Sequence, residues 1–238
     1  MARLSGLQVF FQQFLLFGIC IISFTKGDAP TPTDYPYEFY IEFMSNVTNT
    51  TTADSSFVIP GKMYYNWNIQ RQRVDHGAGS YECTTFYMTE LPCTIYFTSK
   101  GLYRTLSLPL PDGQPYCCLD MEGIGPSPPD WAASSKPTYN GIVVDEFSGV
   151  KKAHLFTYDT FENSDPEHVH QSREVAGGPG AGTPLVFTFP VDDGRQDYHY
   201  DYKSMRAAHQ DPNLFELPVG CESRMCPQSS NRRLAKGL

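Results

Sequence analysis

The residues best suited to chemistry lie in one short segment near the carboxyl end of the chain. Asp197, His199 and Asp201 are spaced two apart there. Because side chains alternate across a β-strand, this spacing puts both carboxylates and the imidazole on one face. Such a group could hold a divalent cation or act in acid–base catalysis. An exposed polar strand face has the same pattern, and no nucleophile lies nearby in the sequence, so we predict no catalytic residues and no enzyme activity.

A second candidate is His168-Val169-His170, whose two imidazoles would share a strand face. A zinc or copper site there needs further ligands from elsewhere, and a solvated loop is the simpler interpretation. The glycines between Gly177 and Gly182 lack the Gly-Lys-Ser/Thr ending of a phosphate-binding loop and precede a strand. We predict no metal site and no cofactor.

The cysteines indicate disulfides rather than catalysis. Cys20 lies in the leading apolar segment, and an even number remains, which in an exported chain predicts three disulfides. Zinc is the alternative, but no Cys-x-x-Cys pair is present. Adjacent Cys117 and Cys118 would point to opposite strand faces and bond different partners. Many connectivities remain open, and we favour pairing these two with Cys83 and Cys93, and Cys221 with Cys226.

The first 27 residues have the composition of a secretory signal peptide. Arg3 precedes the apolar run from Leu7 to Phe24, and Gly27 supplies a small residue for cleavage. An uncleaved membrane anchor is the alternative, because the run could just span a bilayer. Glutamines inside the run favour cleavage. We predict a secreted, extracellular protein with no membrane span after cleavage.

Two adjacent sequons also point to export. Asn46-Val47-Thr48 and Asn49-Thr50-Thr51 are glycosylation acceptors, and we place them in a surface loop from Ser45 to Ser56. The net charge is −8, and removing residues 1–27 takes away two basic residues, which lowers it to −10. We therefore predict no nucleic-acid partner, and an anionic membrane surface is disfavoured, because both require clustered basic residues.

Alternating apolar and polar residues dominate from residue 35 onward. Between Tyr37 and Phe43, apolar side chains recur at every second position, with Glu38 and Glu42 between them. A period of two is typical of a strand with one buried face. Similar strands are predicted over residues 62–70, 80–89, 93–99, 102–108, 139–147, 150–159, 184–191 and 197–203.

Helical periodicity is nearly absent, apart from a short helix near Pro128 to Ser134 and a turn or two at Ser204 to Gln210. Closely spaced strands without long helices predict a mainly β fold, an antiparallel sheet forming a barrel, half-barrel or sandwich. We predict a signal peptide over residues 1–27, one β-rich domain over 28–226 and a flexible polar tail over 227–238.

Several short motifs occur in the order found in a known family. They include Tyr65-Asn66-Trp67, Cys117-Cys118, Pro128-Pro129-Asp130-Trp131 and Phe215-Glu216-Leu217-Pro218. Over about residues 35–221 the chain resembles the ependymin-related secreted proteins, and most closely the branch found in sea-urchin embryonic endoderm. The Cys117-Cys118 doublet departs from the fish proteins of this family, so the disulfide pattern does not follow from the resemblance.

The resemblance implies a strongly curved antiparallel sheet, a half-barrel like that of bacterial lipoprotein carriers, around an apolar pocket. It also implies an extracellular glycoprotein associated with matrix or cell-surface partners, with homodimers and calcium binding among the family's members. We therefore expect a secreted, non-enzymatic glycoprotein of development or gut-lining tissue that binds a lipid or another apolar small molecule.

The aromatic strands bear on whether such a pocket is open. Burying each large aromatic side chain stabilises the fold by about 1.5–3 kcal/mol. A sheet with many such rings must cover them with its own residues or with a ligand, and both remain open here. The alternative function is a matrix or cell-adhesion glycoprotein with a filled core, associated with calcium. The expected pocket lining comprises Phe39, Ile41, Phe43, Tyr65, Trp67, Phe86, Ile95, Phe97, Phe187 and Phe189.

Overall fold

The alternating segments pair into one antiparallel sheet of eleven strands. The computed structural model describes residues 29–49, 58–87, 90–109, 115–158, 170–191, 194–221 and 225–226. The strands are β1 (Glu38–Asn49), β2 (Ile59–Asn66), β3 (Arg71–His76), β4 (Cys93–Phe97), β5 (Gly101–Pro109), β6 (Pro115–Glu122), β7 (Thr138–Asp145), β8 (Val150–Tyr158), β9 (His170–Val175), β10 (Pro184–Val191) and β11 (Gly194–Tyr200). Their spatial order is β6-β5-β4-β3-β2-β1-β11-β10-β9-β8-β7. The sheet is curved and not closed into a barrel, which confirms the predicted fold class.

Buried apolar clusters lie on both sides of this sheet. We call the side that carries Phe39 of β1 the aromatic face. On β1 it carries Phe39, Ile41 and Phe43, while Glu38 and Glu42 point to the opposite face. Residues directly opposite each other in an antiparallel pair share a face, so the register extends this side across the sheet. It pairs Phe39 with Tyr65, Phe43 with Tyr200, Val74 with Ile95 and Phe187 with Tyr198.

Two short helices lie against the aromatic face. In α2 (Trp131–Ser134), the Trp131 ring stacks on Tyr158 of β8 with centroids 5.6 Å apart. This helix falls where the sequence predicted one. In α1 (Tyr81–Tyr87), Glu82 reaches β11, where it accepts a hydrogen bond from Tyr198.

Helix α1 contradicts the predicted strand over residues 80–89. Ser80 begins the helix, because its Oγ accepts the backbone N–H of Cys83 at 3.3 Å and its carbonyl accepts that of Thr84 at 2.9 Å. A serine that satisfies free N–H groups at a helix start is a strong local signal. The cap outweighs the strand propensity of the β-branched and aromatic residues in this segment.

The predicted strand over residues 62–70 is also corrected. Strand β2 ends at Asn66, a 3-10 turn spans Trp67–Ile69, and Gln70 takes a left-handed conformation (φ 50°) that reverses the chain into β3. Strands β3, β6 and β9 were not predicted. In β3, polar residues occupy both faces, so the alternation on which strand prediction relies is absent.

Three disulfides form, as predicted, but with a different connectivity. The pairs are Cys83–Cys93, Cys117–Cys221 and Cys118–Cys226. Pairing the doublet with Cys83 and Cys93 was wrong, because these two bond each other where α1 lies beside the start of β4. The predicted pair of Cys221 with Cys226 was also wrong, because each of them bonds one member of the doublet. Cys117 and Cys118 lie on the edge strand β6 and bond different partners, as expected from their adjacent positions.

The chain after β11 continues across the sheet. Arg206 first exchanges backbone hydrogen bonds with Tyr40 of β1. Further on, Arg73 of β3 donates to the carbonyl oxygen of Leu214 at 3.1 Å, on the side opposite the aromatic face. The described residues from Thr31 onward form one compact unit. The predicted signal peptide and polar tail lie outside the described residues. Within those residues, no helix is long and apolar enough to cross a bilayer.

Candidate functional site

The three residues singled out as a chemical group are not held together. Asp197 and His199 lie on β11 and face away from the aromatic face, whereas Asp201 follows the end of the strand. Asp197 is buried and accepts a hydrogen bond from Thr188 Oγ1 at 2.6 Å. The Asp201 carboxylate accepts the backbone N–H of Lys203 at 3.0 Å. Each carboxylate therefore has a local structural partner.

His199 stacks on the ring of Phe147, with centroids 4.0 Å apart, and its burial lowers the pKa of the imidazole. The pair borders a cleft of about 740 Å³ that also includes Glu42, Lys62 and Tyr64. Within the described residues, no group of three or more His, Cys, Asp or Glu side chains is placed to hold a metal ion. His170 begins β9, and its predicted partner His168 lies outside that part of the chain.

A row of aromatic rings crosses the aromatic face from α2 to β11. Trp131 lies 5.4 Å from Phe187, Phe187 lies 6.2 Å from Phe189, and Phe189 lies 5.5 Å from Tyr198, centroid to centroid. His170 flanks both phenylalanines at 5.9 and 6.5 Å. We call these five residues the aromatic row. All five residues are partly exposed.

The predicted pocket residues on β1 and β2 have a different environment. Phe39, Ile41, Phe43 and Tyr65, which we call the covered group, are each no more than 3% exposed. The side chains packed around Phe39, Ile41 and Tyr65 are Tyr35, Met63, Trp67, Tyr200 and Met205. The covered group therefore forms part of the protein core.

The remaining predicted lining residues are spread along the same side of the sheet. Ile95 is buried on β4, and Phe97 is partly exposed two residues further on. The side chain of Phe86 lies outside the described part of the structure. The predicted lining thus divides into a filled part at β1 and β2 and a partly open part at β10.

A largely buried polar cluster shares Tyr198 with the aromatic row. We define it as Ser45, His76, Glu82, Gln196 and Tyr198. Tyr198 Oη and Gln196 Nε2 both donate to Glu82 Oε1, and Gln196 Nε2 also donates to Ser45 Oγ at 2.9 Å. His76 Nδ1 lies 3.3 Å from Glu82 Oε2. Burial lowers the pKa of His76, which favours the neutral imidazole.

Four elements hold the polar cluster in place. Ser45 comes from β1, His76 from β3, and Gln196 and Tyr198 from β11, while Glu82 is brought to them by α1. The Cys83–Cys93 disulfide fixes the neighbouring residue of that helix. The sequence reasoning missed Glu82 because it predicted a strand there. The available signal was Ser80 as a helix cap, followed by an acidic residue in the first turn.

Another buried carboxyl group lies on the same face. Glu174 of β9 is 3% exposed and accepts the backbone N–H of Thr33 through both oxygens, at 3.1 and 3.3 Å. Burial raises the pKa of Glu174 to about 7, although the hydrogen bonds from Thr33 act in the opposite direction. Glu174 thereby ties the segment before β1 to the sheet.

The predicted glycosylation sites are on a strand rather than in a loop. Asn46 and Asn49 both belong to β1, which extends further than expected because it pairs with β11 as far as Asn49. Asn46 lies opposite Asp197, away from the aromatic face. Residues 50–57 of the predicted loop lie outside the described residues.

Comparisons with known proteins add little to this picture. No protein-family model matches the chain, and no curated protein matches its sequence. An uncharacterized conserved protein from Thermus thermophilus, known from a crystal structure, is similar with a TM-score of 0.45 and 10% identity. The match covers 78% of this chain and 89% of that one. A likeness of this size carries no inference about function.

Proposed function

We propose that this chain is a secreted, non-enzymatic glycoprotein that binds a lipid or another apolar molecule along the aromatic row. The observation that supports this function is the contrast on one sheet face between the covered group and the partly exposed row. Aromatic side chains lose the stabilisation of burial when they are left in water. A ligand lying on Phe187 and Phe189 would restore it.

The surroundings of the row suit such a ligand. Small-molecule sites are mostly lined by apolar and aromatic side chains with a few polar groups that fix orientation. Trp131 closes the row at one end, and the polar cluster meets it at Tyr198. The three disulfides are consistent with an oxidising, extracellular compartment.

The test measures ligands directly on protein secreted from animal cells. Organic extraction followed by mass spectrometry should release a bound lipid, and a fluorescent fatty-acyl probe should bind the emptied protein. Phe187→Ala and Phe189→Ala should each weaken probe binding by about tenfold or more, because each removes apolar contact area. Phe147→Ala, on the opposite face, is the matched control and should bind normally. If no lipid is released and no probe binds, the proposal is wrong.

A second candidate is a matrix or cell-adhesion glycoprotein that acts through its surface. The observation that favours it is the edge strand β7, where Ile142 and Val144 are 50% and 51% exposed. Unprotected apolar edges attract other chains. The double substitution Ile142→Lys/Val144→Lys should abolish binding of the purified protein to cultured cells while leaving probe binding intact. Unchanged cell binding would contradict this candidate.

A further inference from the structure

We propose that the polar cluster receives the polar end of the apolar ligand and selects a head group that donates hydrogen bonds. A hydroxyl or an ammonium group has this chemistry, whereas a carboxylate or phosphate does not. This inference rests on the proposed function, because it supplies the orientation of a ligand whose chain lies on the aromatic row.

The first observation is a set of unsatisfied polar atoms. Glu82 Oε2, Gln196 Oε1 and His76 Nδ1 are buried without a hydrogen-bond partner among the described residues, since the close approach of His76 to Glu82 lacks hydrogen-bond geometry. Their side chains belong to residues that are 6%, 0% and 4% exposed, respectively. Buried polar groups are nearly always satisfied in folded proteins. Three such atoms in one cluster therefore indicate a place where an additional group binds.

The chemistry of the three atoms specifies that group. Glu82 Oε2 and Gln196 Oε1 can only accept hydrogen bonds, and a neutral imidazole nitrogen can accept or donate according to its tautomer. The orientation of Gln196 follows from its partners, since its amide nitrogen already donates to Glu82 and Ser45. Turning the amide over would set its carbonyl oxygen against the Glu82 carboxyl group.

An anionic head group is disfavoured at the same place. It would bring acceptor oxygens and negative charge next to Glu82 in a buried setting, where like charges repel strongly. Arg104, whose positive charge acts on His76, forms an ion pair with Asp120, with 2.8 Å between Nε and Oδ2, so a carboxylate already balances its charge. The cluster thus discriminates by both hydrogen bonding and charge.

The cluster is continuous with the row that would hold the chain of the ligand. Gln196 is the cross-strand partner of Phe189 on the same face. The ring centroids of Tyr198 and Phe189 are 5.5 Å apart, and the Tyr198 hydroxyl group donates a hydrogen bond to Glu82. An amphiphile lying on Phe187 and Phe189 therefore meets the acceptor atoms next along the face. A buried water molecule would satisfy the same atoms, and the experiment must separate these two occupants.

The experiment compares four ligands with one saturated chain length, namely the alcohol, the amine, the carboxylate and the phosphate monoester. Displacement of a fluorescent fatty-acyl probe from the full-length secreted protein at pH 7.5 gives their relative affinities. The alcohol and the amine should bind about tenfold or more tightly than either anion, as expected for a hydrogen bond to a charged acceptor.

Variants assign this preference to the cluster. Glu82→Gln should weaken binding of the amine by about tenfold. The difference in affinity between the amine and the carboxylate should become smaller. Glu146→Gln, an exposed carboxyl group in the β7–β8 turn, is the matched control. Tyr198→Phe frees a further acceptor on Glu82 and should not reduce amine binding. If Glu82→Gln does not fold, the rank order of the four ligands on the unmodified protein is itself decisive.

The outcomes separate the two proposals. Equal binding of all four ligands, or tighter binding of the anions, would overturn the head-group inference. Water would then be the occupant of the polar cluster. The proposed apolar site on the aromatic row would not be contradicted by this result. Binding of none of them, with no probe signal, would overturn the proposed function itself.

Discussion

The covered group and the aromatic row share one face of one sheet and contain the same kinds of residue. Phe39 and Tyr65 are no more than 3% exposed, whereas Phe187 and Phe189 remain partly exposed. The difference comes from residues outside the strands that pack against the covered group. Tyr35, which precedes β1, and Met205, which follows β11, both pack against the covered group. The alternation of apolar and polar residues therefore does not decide whether the rings of a strand form core or binding surface. The residues that pack over the strand decide it.

The largest expected effect is on stability, from substitution in the covered group. Phe39→Ala should lower the free energy of unfolding by about 3–5 kcal/mol, because it removes a fully packed ring and leaves a cavity. Phe187→Ala should cost clearly less, since part of its ring is already in water. Urea unfolding of the purified proteins, followed by tryptophan fluorescence, measures both.

Ligand binding should change in the opposite order. Phe39→Ala, studied without urea at a temperature where it remains folded, should bind the fatty-acyl probe with nearly unchanged affinity, whereas Phe187→Ala should not. Equal losses of stability in the two variants would mean that the row is as well packed as the core, and the contrast between the two regions would not hold.

Much of the fold could be predicted from the local alternation of apolar and polar residues. The division of the aromatic face into a covered and a partly exposed part could not be predicted in this way. Alternation identified β1, β8 and β10, and Trp131 after two prolines identified α2. Strand β3 was not predicted because polar residues lie on both of its faces. The disulfide connectivity depends on which strand becomes the sheet edge, which is a property of the assembled sheet. Glu82 was missed because the seven residues of α1 are rich in Tyr, Thr and Phe, which are typical of strands.

Glu174 lies in the partly open part of the aromatic face, yet it is buried beneath the segment that carries Thr33. Its pKa in the folded protein is about 7, above the ordinary value of 4.5 that applies to the unfolded chain. The folded state therefore holds the proton more tightly. The contribution of Glu174 to stability should be greatest below about pH 4.5 and should fall as the pH rises to about 7.

Glu174→Gln removes this cost. The variant should be more stable than the unmodified protein by about 2–3 kcal/mol at pH 8, with little difference at pH 4.5. Urea unfolding at several pH values measures the difference, and Glu146→Gln controls for the loss of an exposed charge. A constant difference across the pH range would show that water reaches Glu174 and that the open region extends beyond the aromatic row.

The smallest expected effect concerns the helix at the border between the two regions. Ser80→Ala should lower stability by about 1 kcal/mol, because the N–H of Cys83 loses its acceptor. Ser134→Ala, in the exposed turn of α2, is the matched control and should be nearly neutral. Since the Cys83–Cys93 disulfide still holds α1 against β4, Glu82 should keep its place and the preference among ligand head groups should persist. Loss of that preference in Ser80→Ala would mean that the cap, rather than the disulfide, positions Glu82 at the end of the aromatic row.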